Sequence, residues 1–350
     1  MRIIVDAMGG DNAPFEIVKG AYAASLEYDV EIVLVGDTEQ IEKLAEENEY
    51  DLSKIEIIDT KVAITMEDDP LCVVRAKNDS SMSIALKLLV EGKGDAVVSA
   101  GNSGALFTGA SLIVRKIRGV KRAAIASVLP FSPPVLLLDS GANLVVTDDC
   151  LEQFAVMGCA YMRNYYGIEE PRVGLLNNGA EECKGTELHV TAHQRLKAAD
   201  NINFVGNVEA NMISRDVCDV LVTDGFNGNI LLKCTEGMGK LMINELKGLF
   251  LASNITKLSA LMLKKRIKAI KRKYDSSEHG GAPILGISKP VIKAHGSSNA
   301  KAFKNAIRQA IAVVDTGVTY DIAKEAEKFE AKRRAEIAAK HAENGGGNEK

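Results

Sequence analysis

Residues 172–185 read RVGLLNNGAEECKG. An apolar run stops at two asparagines and a glycine, and a helical pattern begins at about residue 186. A short, nearly unbroken apolar run suits a strand buried on both faces, and the helix predicted over 186–199 makes it half of a strand–helix unit. The same pattern recurs along the chain. RIIVDA (2–7), EIVLVGD (31–37), KIEIID (54–59), DAVVSA (95–100), AAIASVL (123–129), PVLLLDS (134–140), INFVGN (202–207) and DVLVTDG (219–225) alternate with helical patterns at 80–92, 103–117, 149–165 and 227–250. This alternation predicts a three-layer α/β/α, doubly wound fold on a mostly parallel sheet.

With 350 residues the chain can build one large α/β core or two smaller ones. A single catalytic domain over 1–330 is expected, followed by a charged helical tail over 331–350. The last residues, NGGGNEK, are expected to lack fixed structure. Lys+Arg 43 against Asp+Glu 47 leaves a net charge of −4, which excludes a surface built wholly to coat nucleic acid. The six cysteines form no CxxC pair and no zinc-spaced cluster with histidine, so free thiols in a reducing cytoplasm are expected. MRIIVDAMGG breaks at Asp6 and reads as a first strand, not an export signal.

In an open parallel sheet, ligands bind beyond the carboxyl ends of the strands. Six predicted strand ends share one chemistry. DAMGGDNAP (6–14) offers Asp6, Gly9, Gly10 and Asp11, and SAGNSGA (99–105) offers Gly101, Asn102, Ser103 and Gly104. DSGAN (139–143) brings Asn143, and NNGAEECKG (177–185) brings Asn177 and Gly179. TDGFNGN (223–229) brings Asp224, Gly225 and Gly228, and AHGSSN (294–299) brings His295 and Ser297. Glycine admits close backbone approach, Asn and Ser supply neutral donors, and helix N-termini add partial positive charge. Together the loops describe a floor of donors for an anion such as phosphate, expected along one edge of the sheet. Taken singly, each reads as a turn or a helix cap; it is the six together that point to a site.

There is no GxxxxGK[ST], no GxGxxG after the first strand and no GxSxG. His189 and His193 lie four apart but lack the HExxH carboxylate, so a solvated helix face is expected there, not a metal site. Lys184 stands just before a helix start, where cations are disfavoured, and makes sense if an anion binds beside it; the alternative is a surface lysine. Cys183 is a rival nucleophile, since a lysine and a helix start both lower a thiol pKa. Helix-start electrostatics is the default reading for Glu181 and Glu182.

A break in pattern is expected after about residue 246. Residues 246–274 carry nine Lys/Arg and no acid, combining Leu258, Leu261 and Leu263 with Lys264, Lys265 and Arg266. The apolar part is too short to span a bilayer but suits an interfacial helix or hairpin on an anionic membrane; a helix at a subunit interface is the alternative. Arg115, Lys116, Arg118, Lys121 and Arg122 form a second basic cluster, either a face for an acidic partner or simply solvated.

These motifs resemble the bacterial phosphate acyltransferases of the PlsX type. The resemblance rests on VDAMGGDNAP (5–14), SAGNSGALFTG (99–109), LLDSGAN (137–143), LLNNGAEECKG (175–185), TDGFNGNILLK (223–233) and GGAPILGI…HGSSNAKAFKNAI (280–307). It implies a fold similar to that of phosphotransacetylases and isocitrate-type dehydrogenases. It implies transfer of a fatty acyl group from acyl carrier protein to inorganic phosphate for phospholipid synthesis, by a homodimer without metal or organic cofactor. The cytoplasmic enzyme would attach reversibly to the inner face of the membrane, beside a membrane acyltransferase that consumes the acyl phosphate. The family's lysine and asparagine fall on Lys184 and Asn229. Asn178 and Asn227 stand where the family commonly has apolar residues. Phosphate itself would attack the thioester, so Cys183 has no necessary task. A phosphotransacetylase-like enzyme acting on short acyl-CoA, and a non-catalytic membrane adaptor, are the alternative readings.

Overall fold

The computed structural model describes residues 1–274, 278 and 280–345. The first half of the chain contains β1 (Arg2–Asp6), α1 (Phe15–Glu27), β2 (Glu31–Gly36), α2 (Thr38–Glu47), β3 (Ile55–Asp59), α3 (Ser81–Val90), β4 (Ala96–Ser99), α4 (Ser103–Gly109), β5 (Ala124–Leu129) and β6 (Val135–Leu138). There follow α5 (Asp148–Tyr166), β7 (Arg172–Asn177), α6 (Glu187–Lys197), β8 (Asn203–Glu209), β9 (Val220–Val222), α7 (Gly225–Leu251), α8 (Asn254–Met262) and α9 (Lys264–Tyr274). The chain closes with β10 (Ala282–Leu285), β11 (Val291–Lys293), α10 (Ala300–Asp315) and α11 (Val318–Gly345). All nine apolar runs are strands, and the later GGAPILGI and PVIKAHG stretches supply two more.

The strands form one eleven-stranded sheet in the order β3-β2-β1-β4-β11-β10-β5-β6-β9-β7-β8. Pairing is parallel at both ends and antiparallel at β11–β10, β10–β5 and β5–β6. This corrects the expectation that the six glycine-rich loops lie along one edge. Three reversals give β6, β9 and β7 the opposite sense to β1, β4 and β11, so the loops form two sets of three. Twist brings the sets toward each other: about 20–25° per strand turns the sheet through roughly 100–125° over the five steps from β4 to β9.

Alternation along the strands divides the core. Ile3, Val5, Ala96, Val98, Ala124, Ala126, Leu136 and Leu138 face one continuous cluster with residues of α1, α5 and α10. On the other face Ile4, Val97 and Ile125 pack with residues of α3 and α4. Leu129, Val135, Leu137 and Leu221 form a separate cluster joined by Leu231 and Leu232 of α7. One face is therefore a single core, while the other is split near β5. A period of two places Ile125 and Leu129 on the same side of β5, one in each half of the split face.

Helix boundaries follow their caps. Asp224 caps α7 by accepting from Asn227 N at 2.8 Å, which starts the helix two residues before the expected position. The helix predicted over 103–117 is α4 continued by a π-helical turn, Ala110–Arg115. No break occurs at 246, because α7 continues to Leu251; the chain turns at Ser253, which caps α8. Likewise α11 passes through residue 330 without interruption, so the expected domain limit falls inside a helix. Of the expected unstructured end, 346–350 lie outside the described residues. No described helix is long and apolar enough to cross a membrane.

Where α7 leaves the sheet it touches the β6 loop. A Cβ on Gly228 would sit 1.9 Å from the Asp139 carbonyl oxygen, so any side chain there forces the helix away. Gly237, two and a half turns further on, has nothing within 4 Å of such a Cβ. Gly228→Ala is expected to destabilise the protein by about 1–3 kcal/mol through overpacking. Gly237→Ala is expected to stabilise it by about 0.5–1 kcal/mol through helix propensity. Chemical denaturation of the two variants side by side measures the contrast.

Candidate functional site

A cavity of about 500 Å³ opens at the seam of the split face. That size lies within the range of small-molecule sites, about 300–1,000 Å³. Asp11, Ser103, His295 and Gly296 reach it from the ends of β1, β4 and β11. Ser140, Gly141 and Asn229 reach it from the other set of loops. Ile125, Val128, Leu129, Pro130 and Leu232 give it an apolar wall, and Lys233, Lys293 and His295 supply basic groups. The cavity thus pairs hydrocarbon surface with polar and basic groups.

The loops of the first set are tied to one another. Asp11 N donates to Gly296 O at 2.9 Å, and Asn12 Nδ2 donates to Ser297 O and Ser298 O. Ser297 Oγ lies 3.0 Å from His295 Nδ1. Asp6 is buried and works inside the fold. Its carboxylate accepts from Ser81 Oγ and Ser99 Oγ, both at 2.6 Å, while burial pushes its pKa up. Gly9, Gly10, Gly101 and Gly104 shape these turns without lining the cavity. Asn102 caps α4 through Ala105 N, and its amide donates to the carbonyls of Thr65, Met66 and Asp68. It anchors the 65–68 loop; its neighbour Ser103 lines the cavity.

The second set is organised around Asp139. Its buried carboxylate accepts from Ile125 N, Gly141 N, Ala142 N, Asn143 N and Asn143 Nδ2. Burial raises its pKa, and those donors pull against the rise. Asn143 spends its other amide proton on Ala123 O at 2.8 Å, so it braces the site from below. Gly225 N donates to Asn143 O at 2.7 Å, linking the start of α7 to the same loop. Gly141 faces Asn229, since a Cβ on Gly141 would lie 3.5 Å from the Asn229 side chain. Of the two residues expected to matter most, Asn229 lines the cavity.

Lys184 does not line it. Its loop is closed by Asn177 Nδ2, which donates to Lys184 O at 3.1 Å. Gly185 has φ +91°, and a Cβ there would meet His189 and Asn177, so glycine is required at this turn. Lys184 and Cys183 are both exposed, and Lys184 makes no ion pair among the described residues. Gly179 packs against the aliphatic part of Lys184.

Two expectations around this loop are corrected. His193 is 4% exposed, not solvated: Nδ1 lies 3.0 Å from Asn207 Oδ1 and its ring packs edge-on against Phe204. The strand β8 supplies both partners, which helical periodicity alone does not show. His189 Nδ1 contacts Thr186 Oγ1 at the start of α6. Glu182 is held not by the helix start but by Lys197 in the last turn of α6, at 2.6 Å, which lowers its pKa. No group of three or more His, Cys, Asp or Glu among the described residues is placed to hold a metal ion.

In the second basic cluster Lys121 pairs with Asp149, while Arg115, Lys116, Arg118 and Arg122 remain exposed. Within the basic amphipathic segment, residues 246–269 are mostly exposed. Helix α8 buries no residue, and Leu258 and Leu261 are 63% and 66% exposed. Leu263, Lys264, Lys265 and Arg266 are exposed beside them.

The residues that the sequence reading missed are those of the β5 wall and of Lys233, Thr235, Glu236 and Lys293. β5 runs antiparallel to both neighbours, so the rule for parallel strand ends does not select it. Lys233 had a usable signal: it lies four residues after Asn229 on one helix, hence on the same face.

Residues 1–321 match the family described as fatty acid synthesis protein. The phosphate acyltransferase of Acetivibrio thermocellus is 48% identical over 318 residues, covering 90% of this chain and 94% of that protein. The phosphate acyltransferase of Oceanobacillus iheyensis is 46% identical over 321 residues, covering 91% and 95%. Among solved structures, the EutD phosphotransacetylase of Staphylococcus aureus superposes with a TM-score of 0.59 at 16% identity, covering 90% of this chain and 94% of that one. A phosphotransacetylase from Streptococcus pyogenes gives the same TM-score at 15% identity, covering 93% and 94%. These two show likeness of fold alone. Relatives 46% and 48% identical across alignments covering nine-tenths of the chain make it an acyltransferase that uses phosphate as acceptor, a member of the phosphate acyltransferase family of the PlsX type.

Proposed function

We propose that the enzyme transfers a long-chain fatty acyl group from acyl carrier protein to inorganic phosphate, yielding an acyl phosphate for phospholipid synthesis. The observation that supports this reading is the cavity itself, an apolar wall for hydrocarbon beside basic and hydroxyl groups for phosphate. A phosphate oxygen attacks the thioester carbonyl carbon, a tetrahedral oxyanion forms, the C–S bond breaks, and the thiolate departs. No enzyme nucleophile is needed. The protein's task is to hold a dianion against a thioester and to stabilise the oxyanion.

Asn229 stands at the cavity wall as an amide donor for that oxyanion. Lys184, on the β7 loop, is the cation assigned to the phosphate or the developing oxyanion. Cys183 has no role. Exposed Arg115, Lys116, Arg118 and Arg122 offer a surface for an acidic carrier protein. Met238, Leu241, Met242 and Leu249 are exposed on α7 and suit packing against a second copy of the chain. The α8–α9 segment suits reversible docking on the cytoplasmic face of an anionic membrane, where the product can pass to a membrane acyltransferase. A second reading, transfer from short acyl-CoA, is favoured by the phosphotransacetylase-like fold. It leaves the basic α8–α9 segment, with Leu258 and Leu261 exposed, without a purpose.

Thioester consumption with and without phosphate, using acyl carrier protein and CoA thioesters of several chain lengths, tests the reaction and separates the two readings. Consumption that ignores phosphate, or that favours short acyl-CoA, refutes the first. Lys184→Ala is expected to lower acyl phosphate formation at least roughly a hundredfold, while Cys183→Ala keeps most activity. The reverse ranking would sink the assignment. Replacing Leu258, Leu261 and Leu263 by Glu is expected to abolish co-sedimentation with anionic liposomes and to leave activity on soluble substrate intact. Unchanged sedimentation would exclude this segment as the anchor.

A further inference from the structure

The cations that surround the Asn229 wall of the cavity are not on the Lys184 loop. Lys233 lies one helical turn after Asn229 on α7, and both line the cavity. Lys293, the last residue of β11, lines it from the facing side, and His295 follows two residues later. Lys233 Nζ stands 3.4 Å from His295 Nε2, so α7 and the β11 loop meet through these side chains. The group therefore joins the two sets of strand ends.

Lys293 is unusual in its hydrogen bonding. An ammonium group carries three donors. The Lys293 ammonium spends one on the Ala294 carbonyl and has no carboxylate within ion-pair distance among the described residues. Its register partners, Ala282 on β10 and Ser99 on β4, bring no charge. The ionisable groups facing it are Asp11 from the β1 loop, Lys233 with its partner Glu236 on α7, and His295. Burial is the main cause that lowers the Lys293 pKa to about 8; Lys233 adds to the fall and Asp11 opposes it. A half-buried cation with unused donors, facing a cavity, is a costly arrangement in the free protein. An entering dianion offsets that cost.

The geometry points to Lys293 and Lys233, with His295, as the binding site for the acceptor phosphate, placing that anion between β11 and α7 beside Asn229. This inference rests on the acyl-transfer reading above and adds to it a location and two lysines. The phosphate stands at the meeting point of the two sets of loops, with the apolar β5 wall beside it for the acyl group. Lys184 is then left to serve the thioester oxygen, a task separate from that of Lys293 and Lys233. A phosphodiester, such as one on the donor's prosthetic arm, shares this chemistry and is the competing source of the anion.

Steady-state kinetics of Lys293→Met and Lys233→Met, with phosphate and acyl donor varied independently, test the site. The expected result is a phosphate KM raised on the order of 10- to 100-fold in each variant, with the donor KM unchanged. In the wild type the phosphate KM is expected to climb as pH rises through about 8, where Lys293 loses its charge, and Lys293→Met is expected to remove that climb. A raised donor KM with unchanged phosphate KM would assign the lysines to the donor's phosphodiester and overturn the proposal. So would unchanged values for both substrates. Direct titration of the Lys233→Met protein with inorganic phosphate keeps the test open if Lys293→Met fails to fold; affinity equal to wild type overturns the proposal. Wild-type enzyme that consumes thioester without phosphate would instead refute the reaction itself, an outcome distinct from all of these.

Discussion

The buried carboxylate of Asp139 holds the second half of the site together. Main-chain N–H groups of β5 and of residues 141–143 converge on it, and the Asn143 amide completes the set. Hydrogen bonds to a charged group are worth more than neutral ones, and a carboxylate buried without them would be very costly. The turn that Asp139 stabilises has three consequences. It sets the path of Gly141 along the cavity, it receives the start of α7 through Asn143 O, and its carbonyl meets Gly228 so closely that only glycine fits. Asn229 is placed at the cavity wall as a result.

The second organising feature is the reversal of strand direction at the centre of the sheet. Two parallel halves are joined by the antiparallel strands β10, β5 and β6. One face remains a continuous core, which keeps the halves together. The other face is split, because the α3–α4 layer and α7 cover different halves. A cavity at that split inherits apolar side chains from the sheet and polar loops from both halves. Acyl transfer to phosphate needs such a mixture, since one reactant is hydrocarbon with a thioester and the other is a small dianion.

Much of this was legible in the sequence. All the apolar runs are strands because a buried strand needs little beyond unbroken apolar, β-branched residues between turn signals. The chemistry of the glycine-rich loops was recognisable, and Asp11, Ser103, Asn229 and His295 line one cavity. Other loop residues proved to be braces: Asp6, Asn102, Asn143 and Asn177 spend their polar atoms on neighbouring backbone or side chains. Residue type alone cannot separate a ligand from a brace, because both uses draw on the same donors and acceptors. His193 shows the converse. Its position on an apparently polar helix face hid a partner, Asn207, contributed by a strand fourteen residues away.

By itself the sequence determined the kinds of elements, the chemistry of the loops and the family, because those depend on local patterning and on ordered motifs. Only the tertiary structure decided which strand ends meet. Strand direction is a property of pairing, not of any one segment, so the antiparallel centre and the turn of the sheet lay outside local reach. The same holds for Lys233 and Lys293, ordinary lysines in the sequence. They face one cavity because α7 and β11, far apart along the chain, close around the seam.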